Sequence, residues 1–501
     1  MGEDARRIPV IVGVGQINDR TEDPMQAPDS LGLMEAALRA ADADAGGGWL
    51  ARLDSLAVVD QISFRQLGDV SKPLAAALGA TPRICGKTRM ASGDSPILLL
   101  NEAANRIGAG EIEVAAIVGG EALRTAAKRA ALAPASGGTQ DAARAMAARK
   151  TPAYRQRYGL VAPVDVYPLY ENAGRAAYGQ SLEEGQIESS EIWARFSQIA
   201  AANPDAWIRK PVAAETIRTA SDDNRPIAFP YNKLMVANSS VNQGAGFIVT
   251  SLANALAHGV PESRLIYVGL GAAAHEPEDF LARDSYGHSA SMEVSLRRTM
   301  ELNALRVDDL DYVELYSCFP CVPKMARRVI GWPVEKPATV FGGLTFGGGP
   351  IGNYMSHAVV SMAEKLRESG THGLLFANGG YATHNHSIVL SRQPIPAGTF
   401  PQDFDFQAEA EARRGPVPHL AEDYTGPGVI ETYTVLYQRD GSPRFGVIVA
   451  RTPSGERFLA KVPATDADAL TVLTNGAVQP VGLHGTAVAG PDGDVLWQGL
   501  S

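Results

Sequence analysis

Two stretches of the chain can be laid side by side. Residues 90–122 read MASGDSPILLLNEAANRIGAGEIEVAAIVGGEA, and residues 347–382 read GGGPIGNYMSHAVVSMAEKLRESGTHGLLFANGGYA. Each is a turn of small residues, a long run with apolar residues at helical spacing, a second turn, and an apolar run that stops at Gly-Gly. The copies are roughly 250 residues apart, far beyond the ~20–50 residues of a solenoid repeat, so they imply two duplicated α/β halves. What precedes them is also duplicated. RIPVIVGVGQ, DSLGLMEAALRAADAD and LDSLAVVD read as strand, helix and strand ahead of the first copy. LIYVGLGAAA, SASMEVSLRRTMELNAL and LDYVELYSCF do the same ahead of the second. Such alternation predicts a parallel sheet with right-handed crossovers, and Asp29 or Ser30 is a predicted helix N-cap.

Residues 125–240 break this rhythm. They are richer in Ala, Arg, Tyr and polar helix, as in SSEIWARFSQIAAANPDAW, and predict a helical insertion. NSSVNQGAGFIVTSLANALAHG then returns to strand and helix. After SRQPIP the composition shifts to proline-rich linkers and short alternating strands, with RDGSPR as a hairpin turn between two of them. The predicted organisation is a first half over 1–124, a helical loop domain over 125–240, a return to the first half over 241–262, a second half over 263–395 and a small β-barrel-like module over 396–501.

With 501 residues the chain exceeds one compact core, which supports this division. A formal net charge of -10 and the absence of a basic domain argue against a nucleic-acid binder. The C-terminal module shows no basic-aromatic stripe, and Trp497 is its only tryptophan. No run reaches the ~18 apolar residues of a membrane span, and the N-terminus has no signal-peptide core, so a cytoplasmic protein is expected. Cys85, Cys318 and Cys321 make no disulfide framework, and no metal-ligand spacing is seen, so neither a metal nor a permanently bound cofactor is expected.

One stretch carries chemistry: VELYSCFPCVPKMARR, residues 313–328. A predicted strand ends at Tyr316-Ser317-Cys318, and the carboxyl end of a strand is where α/β proteins build sites. Cys318 reads equally well as a site residue or as a small buried hydrophobe.

The duplication, the insertion after the first half and the glycine turns that lead into helices resemble the thiolase superfamily over roughly residues 8–395. RPIAFPYNKLMVANSSVNQGAGFIVTS is similar to the segment by which thiolases leave the loop domain and re-enter the first half. VELYSCF sits where sterol-carrier-protein-type thiolases have His-Asp-Cys-Phe. GGLTFGGGPIG sits where thiolases have Gly-Gly-x-x-x-x-Gly-His-Pro-x-Gly. With its appended module the chain resembles bacterial thiolase-like proteins with an additional C-terminal domain, a group that carries the name acetyl-CoA acetyltransferase. The resemblance implies a duplicated five-layer αβαβα thiolase fold with a helical loop insertion and a C-terminal β-barrel-like domain. It also implies coenzyme A or an acyl-CoA as substrate or cosubstrate, a monomer or homodimer, and a lid or partner-protein role for the module.

Departures from the family pattern carry the functional expectation. The thiolase nucleophile is a cysteine in Cys-x-Ser-Gly at a helix N-terminus, where the dipole favours a thiolate. That motif falls on Met90-Ala91-Ser92-Gly93, and a thioether forms no thiolate; a shifted register would use Cys85. The Gly-His-Pro histidine falls on Gly349, which leaves only a backbone N–H for an oxyanion. The last catalytic motif falls near NGGYATHNH, placing Asn378, Gly379 and Gly380 at the site, with His384 and His386 as polar candidates. Tyr316, in the register of the family's Asn/His, resembles the tyrosine of thiolase-fold aldolases that act on steroid side chains. Ser317 takes the Asp position and Cys318 the acid/base cysteine. Tyr354 and Tyr381 are weaker candidates. Arg209, Lys210, Arg225 and Lys233 are the cations expected to meet CoA phosphates. Two functions stay open: a thioester enzyme doing carbon–carbon chemistry, retro-aldol in type, without an acyl-cysteine, and a non-catalytic acyl-CoA or lipid binder with a degenerate site.

Overall fold

In a computed structural model, residues 3–132, 151–396 and 399–500 are described. The first half supplies β1 (Pro9–Asn18), α1 (Ser30–Asp44), β2 (Ser55–Val58), α2 (Ser71–Leu78), β3 (Ile84–Lys87), α3 (Ser95–Gly108), β4 (Val114–Ala122) and α4 (Leu123–Leu132). The insertion supplies α5 (Pro163–Ala177), α6 (Leu182–Ala202), β5 (Pro226–Ala228) and β6 (Tyr231–Asn232), and β7 (Asn242–Ser251) closes the half. Of the expected insertion, residues 133–150 lie outside the described residues. The second half runs β8 (Ile266–His275), α7 (Ala290–Leu302), β9 (Tyr312–Leu315), α8 (Cys321–Ile330), α9 (Tyr354–Glu368), β10 (His372–Gly379) and β11 (His384–Ser391).

The strands are ordered β3-β2-β4-β7-β1-β8-β11-β10-β9, and the two halves repeat one pattern of directions. From the centre outward, β1–β7 and β7–β4 are antiparallel and β4–β2 is parallel; β8–β11 and β11–β10 are antiparallel and β10–β9 is parallel. The halves meet where β1 and β8 pair antiparallel through Val10–Tyr267 and Ile11–Ile266. Each half is thus mixed, which corrects the expected parallel sheet. The reason is local in the second half: β10 turns into β11 within Gly380–Thr383, and so short a return can only make an antiparallel pair. α3 and α9 pack on each other and on strands of both halves, and they form the middle layer of the αβαβα stack. α1 begins at Asp29, whose carboxylate accepts from the Gly32 N–H at 3.0 Å.

Past residue 399 the chain forms β12 (Gly426–Tyr437), β13 (Pro443–Arg451), β14 (Arg457–Pro463), α10 (Ala467–Thr474), β15 (His484–Ala489) and β16 (Val495–Gln498). Pairing in the order β12-β13-β14-β16-β15-β12, with β14–β16 the parallel step, closes a five-stranded barrel of OB-type topology. The hairpin predicted at RDGSPR lies between β12 and β13, with Gly441 at φ 83°. The barrel is stitched to the rest of the chain. β5 of the insertion pairs with β12 at Ala228–Leu436, and Thr432 donates to the Leu169 carbonyl of α5 at 2.6 Å. The buried Arg457 donates to the carbonyls of Leu281 and Arg283 at 2.5 and 2.6 Å and pairs with Glu431.

Candidate active site

The site forms around the N-terminus of α3. Asp94 caps this helix through its backbone, its carbonyl accepting from the Ile97 and Leu98 amides at 3.1 and 3.0 Å. An aspartate cap ordinarily turns its carboxylate onto the helix amides. Here the carboxylate makes no capping bond and instead receives the Ser92 hydroxyl. Gly93 leaves no room for a side chain: a Cβ there would lie 2.2 Å from the Asn378 carbonyl oxygen and 2.5 Å from the Tyr316 hydroxyl. A Cβ on Gly379 would fall 2.1 Å from the Ser92 hydroxyl. The glycines of both motifs thus let the β9, β10 and α3 termini close on one another.

Tyr316 follows β9, is buried, and donates its amide to the Phe376 carbonyl at 3.1 Å. Burial, with Cys318 and Asp94 nearby, holds its phenol well above the usual range, so it is a neutral proton donor. Burial likewise pushes the Cys318 thiol up to about 12, against the stabilising Tyr167 hydroxyl beside it. A thiol so raised stays protonated at neutral pH. Tyr167, from α5, was not foreseen. Its hydroxyl donates to the Gly380 carbonyl at 3.1 Å and to Asn378 Oδ1 at 3.3 Å, and accepts the Ala382 amide at 2.9 Å. Nothing in the local pattern of α5 separates this tyrosine from a core residue. Asn378 completes the network by donating to Asn385 Oδ1 at 2.8 Å. Its amide is thereby committed to holding the β10–β11 turn.

His384 and His386 lie at the start of β11, a strand not predicted from the sequence. His386 is buried against Asn101 of α3, stacks on Phe404, and is driven down to about 4 by burial, hence neutral. His384 stands between two carboxylates, with Nδ1 3.7 Å from Asp94 and Nε2 2.9 Å from Glu278. The Asp94 carboxylate, with Glu278 behind it, outweighs burial and holds this imidazole up to about 9. Burial alone would raise the Asp94 carboxyl, but His384 and Ser92 win and it lies below its ordinary range.

The open space is a cleft of about 360 Å³ lined by Met90, Ser92, Asp94, His275, His384 and Phe404 among others. Across Met90 lies a second, more polar cleft of about 470 Å³, with Arg65, Lys87 and Arg89 facing Asp60 and Asp69. Met90 is 43% exposed between the two.

Tyr316, Cys318 and Asn378 are buried behind the cleft and line neither opening, and several other expected residues fall elsewhere. Ser317 accepts the Leu344 amide at 3.2 Å and braces the glycine-rich turn, so it is not part of the cleft. The Gly349 N–H donates to the Asn238 carbonyl at 2.8 Å, which removes it as an oxyanion donor, because a strand-like contact already satisfies it. Tyr354 donates to Glu314 at 2.7 Å and Tyr381 to the Val161 carbonyl at 2.9 Å; both are tied into the surrounding packing. Cys85 lies inside β3 opposite Leu56 and lines neither cleft, so a shifted register does not bring a thiol to α3. All three cysteines are free thiols. Arg209, Lys210 and Lys233 are exposed, and none lines either cleft. Arg209 and Lys210 directly follow Trp207 and Ile208, whose amides donate to the Gly347 and Phe346 carbonyls at 2.9 and 2.7 Å. Arg225 donates to the Pro226 carbonyl at 3.1 Å. Among the described residues, no helix is long and apolar enough to cross a membrane.

A duplicated mixed α/β body with paired central helices and a site at the first of them defines the class: the chain belongs to the thiolase superfamily. A crystal structure of a monomeric SCP2-thiolase like protein type 1 from Mycobacterium smegmatis superposes with a TM-score of 0.82 at 30% identity, covering 98% of this chain and 99% of that one. Residues 407–491 match the family described as the thiolase-like protein type 1 additional C-terminal domain, which places the chain among thiolase-like proteins carrying that domain. An Ltp2-ChsH2(DUF35) aldolase shares the fold with a TM-score of 0.59 at 18% identity, over 78% of this chain and 99% of that one. Human mitochondrial 3-ketoacyl-CoA thiolase in complex with CoA does so at 0.58 and 14%, over 77% and 98%. No curated protein sequence matches the chain significantly.

Proposed function

We propose that the protein is a thioester enzyme of the thiolase class that makes or breaks carbon–carbon bonds without a covalent acyl-cysteine. The observation that carries this reading is Met90 at the cleft before α3, where the family motif places its nucleophile, beside an otherwise furnished site. The positive end of the α3 dipole suits the developing oxyanion of a thioester carbonyl, while the Ser95, Ile97 and Leu98 amides are bonded within the cap and Pro96 has no N–H to offer. Tyr316, a neutral phenol, is assigned proton transfer. In a retro-aldol step on a 3-hydroxyacyl thioester, the ionised Asp94 carboxylate at the cleft is assigned the hydroxyl proton. The Cα–Cβ electron pair passes to the thioester enolate as a carbonyl compound leaves. The enolate then takes a proton from Tyr316, and that proton is restored from Asp94. That a fold relative is described as an aldolase supports the chemistry for this scaffold. Tyr167 and Asn378 position the turn, and Cys318 contributes at most a neutral hydrogen bond.

Coenzyme A is the proposed carrier, in keeping with a fold relative described in complex with it. Arg209 and Lys210, which leave the glycine-rich turn, and Lys233 are proposed to meet its phosphates. The reading extends to a cytoplasmic monomer or homodimer whose barrel, stitched to the insertion, acts as a lid or a partner-binding surface. The alternative, a non-catalytic acyl-CoA binder, is favoured by the committed Gly349 amide.

The deciding experiment incubates the protein with acetyl-CoA, longer acyl-CoAs, acetoacetyl-CoA plus CoA, and 3-hydroxyacyl-CoAs. Free CoA and product masses are followed, with Tyr316→Phe and Cys318→Ala in parallel. Turnover lost in Tyr316→Phe is expected; tight binding without product from any substrate would establish the binder instead.

A further inference from the structure

His275 and His384 face each other across the β8–β11 pair, so both imidazoles leave the same side of the sheet. Their rings stack with centroids 4.7 Å apart and an interplanar angle of 17°. α3 packs over this end of β11 and delivers Asp94, whose carboxylate is turned off the helix amides by Ser92. The donor atoms of Asp94, His275 and His384 all lie within 4.8 Å of one another.

We propose that Asp94, His275 and His384 form a binding site for a first-row divalent cation of the Zn²⁺ type, opening into the 360 Å³ cleft beside Met90. Two imidazoles and one carboxylate match the donor preference of such ions and not that of Mg²⁺ or Ca²⁺, which take oxygen. Bonds of about 2.0–2.2 Å imply ligand atoms roughly 3.4 Å apart around the ion. The exposed His275 side chain can supply the closing movement, while buried Asp94 and the half-buried His384 hold their places. His384 also carries the outer-sphere feature of metal sites. Its remaining nitrogen, Nε2, is engaged by the Glu278 carboxylate at 2.9 Å, the arrangement that orients a ligating imidazole and raises its basicity. With three protein ligands, the remaining coordination position faces the cleft, the pattern of an open metal site. Binding does not depend on the thioester reading; any polarisation of a bound carbonyl by the ion would rest on it.

The test strips the full-length protein with EDTA and titrates Zn²⁺ against a chromophoric chelator. Co²⁺ is titrated separately, and its visible absorption is read as the coordination signature. One ion per chain is expected, with affinity falling by more than about tenfold in His275→Ala and in His384→Ala, and by about tenfold in Glu278→Gln. Circular dichroism confirms that each variant is folded. His275→Ala, at an exposed position, is the arm least exposed to a folding artefact. Absence of a stoichiometric site, or an unchanged affinity in either histidine variant, would overturn the proposal. No thioester is present in these titrations, so their failure is separate from failure of the proposed function.

Discussion

Gly93 and Tyr316 are packed so closely that a Cβ on the glycine would lie 2.5 Å from the phenol oxygen. The same atom would lie 2.2 Å from the Asn378 carbonyl, a backbone group that cannot swing aside. Gly93→Ala is therefore expected to force α3 away from the β10–β11 turn, at a cost of about 1–3 kcal/mol. Tyr316→Phe keeps the packing and should cost less than about 1.5 kcal/mol while removing the proton donor. Urea midpoints measured beside turnover separate the two: the alanine variant loses both stability and activity, the phenylalanine variant activity alone.

His384 gives the metal-free protein an alkaline limb. Its folded value of about 9 lies above the ordinary 6.5, so its contribution is fully present below 6.5 and is lost as pH rises through 9. Asp94 and Glu278 raise that value, and His275, stacked on the ring, adds no acidic partner. Stability measured by urea denaturation between pH 6.5 and 9 should decline in the wild type and lie flatter in His384→Ala. An identical slope in both would show that His384 is not held between the two carboxylates.

Met90→Cys would return a thiol to the loop before α3. That position is exposed, whereas burial pushes the Cys318 thiol up and also raises Cys321. The variant is expected to react with a thiol reagent faster than Cys318 and Cys321 do, and to gain one acetyl mass on incubation with acetyl-CoA. Wild type should gain none. Peptide mass spectrometry reads both.

Arg457 is buried where the barrel meets the second half and donates to the carbonyls of Leu281 and Arg283 besides pairing with Glu431. Arg457→Ala leaves those carbonyls without this donor and reduces Glu431 to its pairing with Arg451. Loss of one partner from so buried a set costs about 3–5 kcal/mol. Hydrogen exchange should rise first across β12 to β14, and unfolding of the barrel ahead of the body is the expected outcome; a single unchanged transition would contradict it.

Pattern and propensity sufficed for the duplication, the elements around each copy and the small β module. Periodicity is written into neighbouring residues, and each half repeats the same local choices. Pattern marked the strand end at Tyr316 but did not name Ser92, Gly93, Asn378, Gly379 and His384 as candidates; the resemblance of their motifs to those of thiolases did, and it gave Tyr316 its role. Strand direction was not readable: no strand was predicted between the second Gly-Gly and SRQPIP, and only the hairpin of β11 with β10 makes the half mixed. Nor were the roles of Ser317 and Gly349, whose polar groups are claimed by Leu344 and Asn238 from other segments.

The contrast is sharpest at His384. Its residue type and place near the last glycine motif follow from the chain alone. Its charge and its neighbours do not, since Asp94, His275 and Glu278 reach it only when α3 packs across β8 and β11. A local sequence can specify a turn, because the turn's energy lies in its own dihedrals and amides. The state of a buried imidazole is set by desolvation and by charges a few ångströms away, and those distances exist only after the two halves have closed on their central helices.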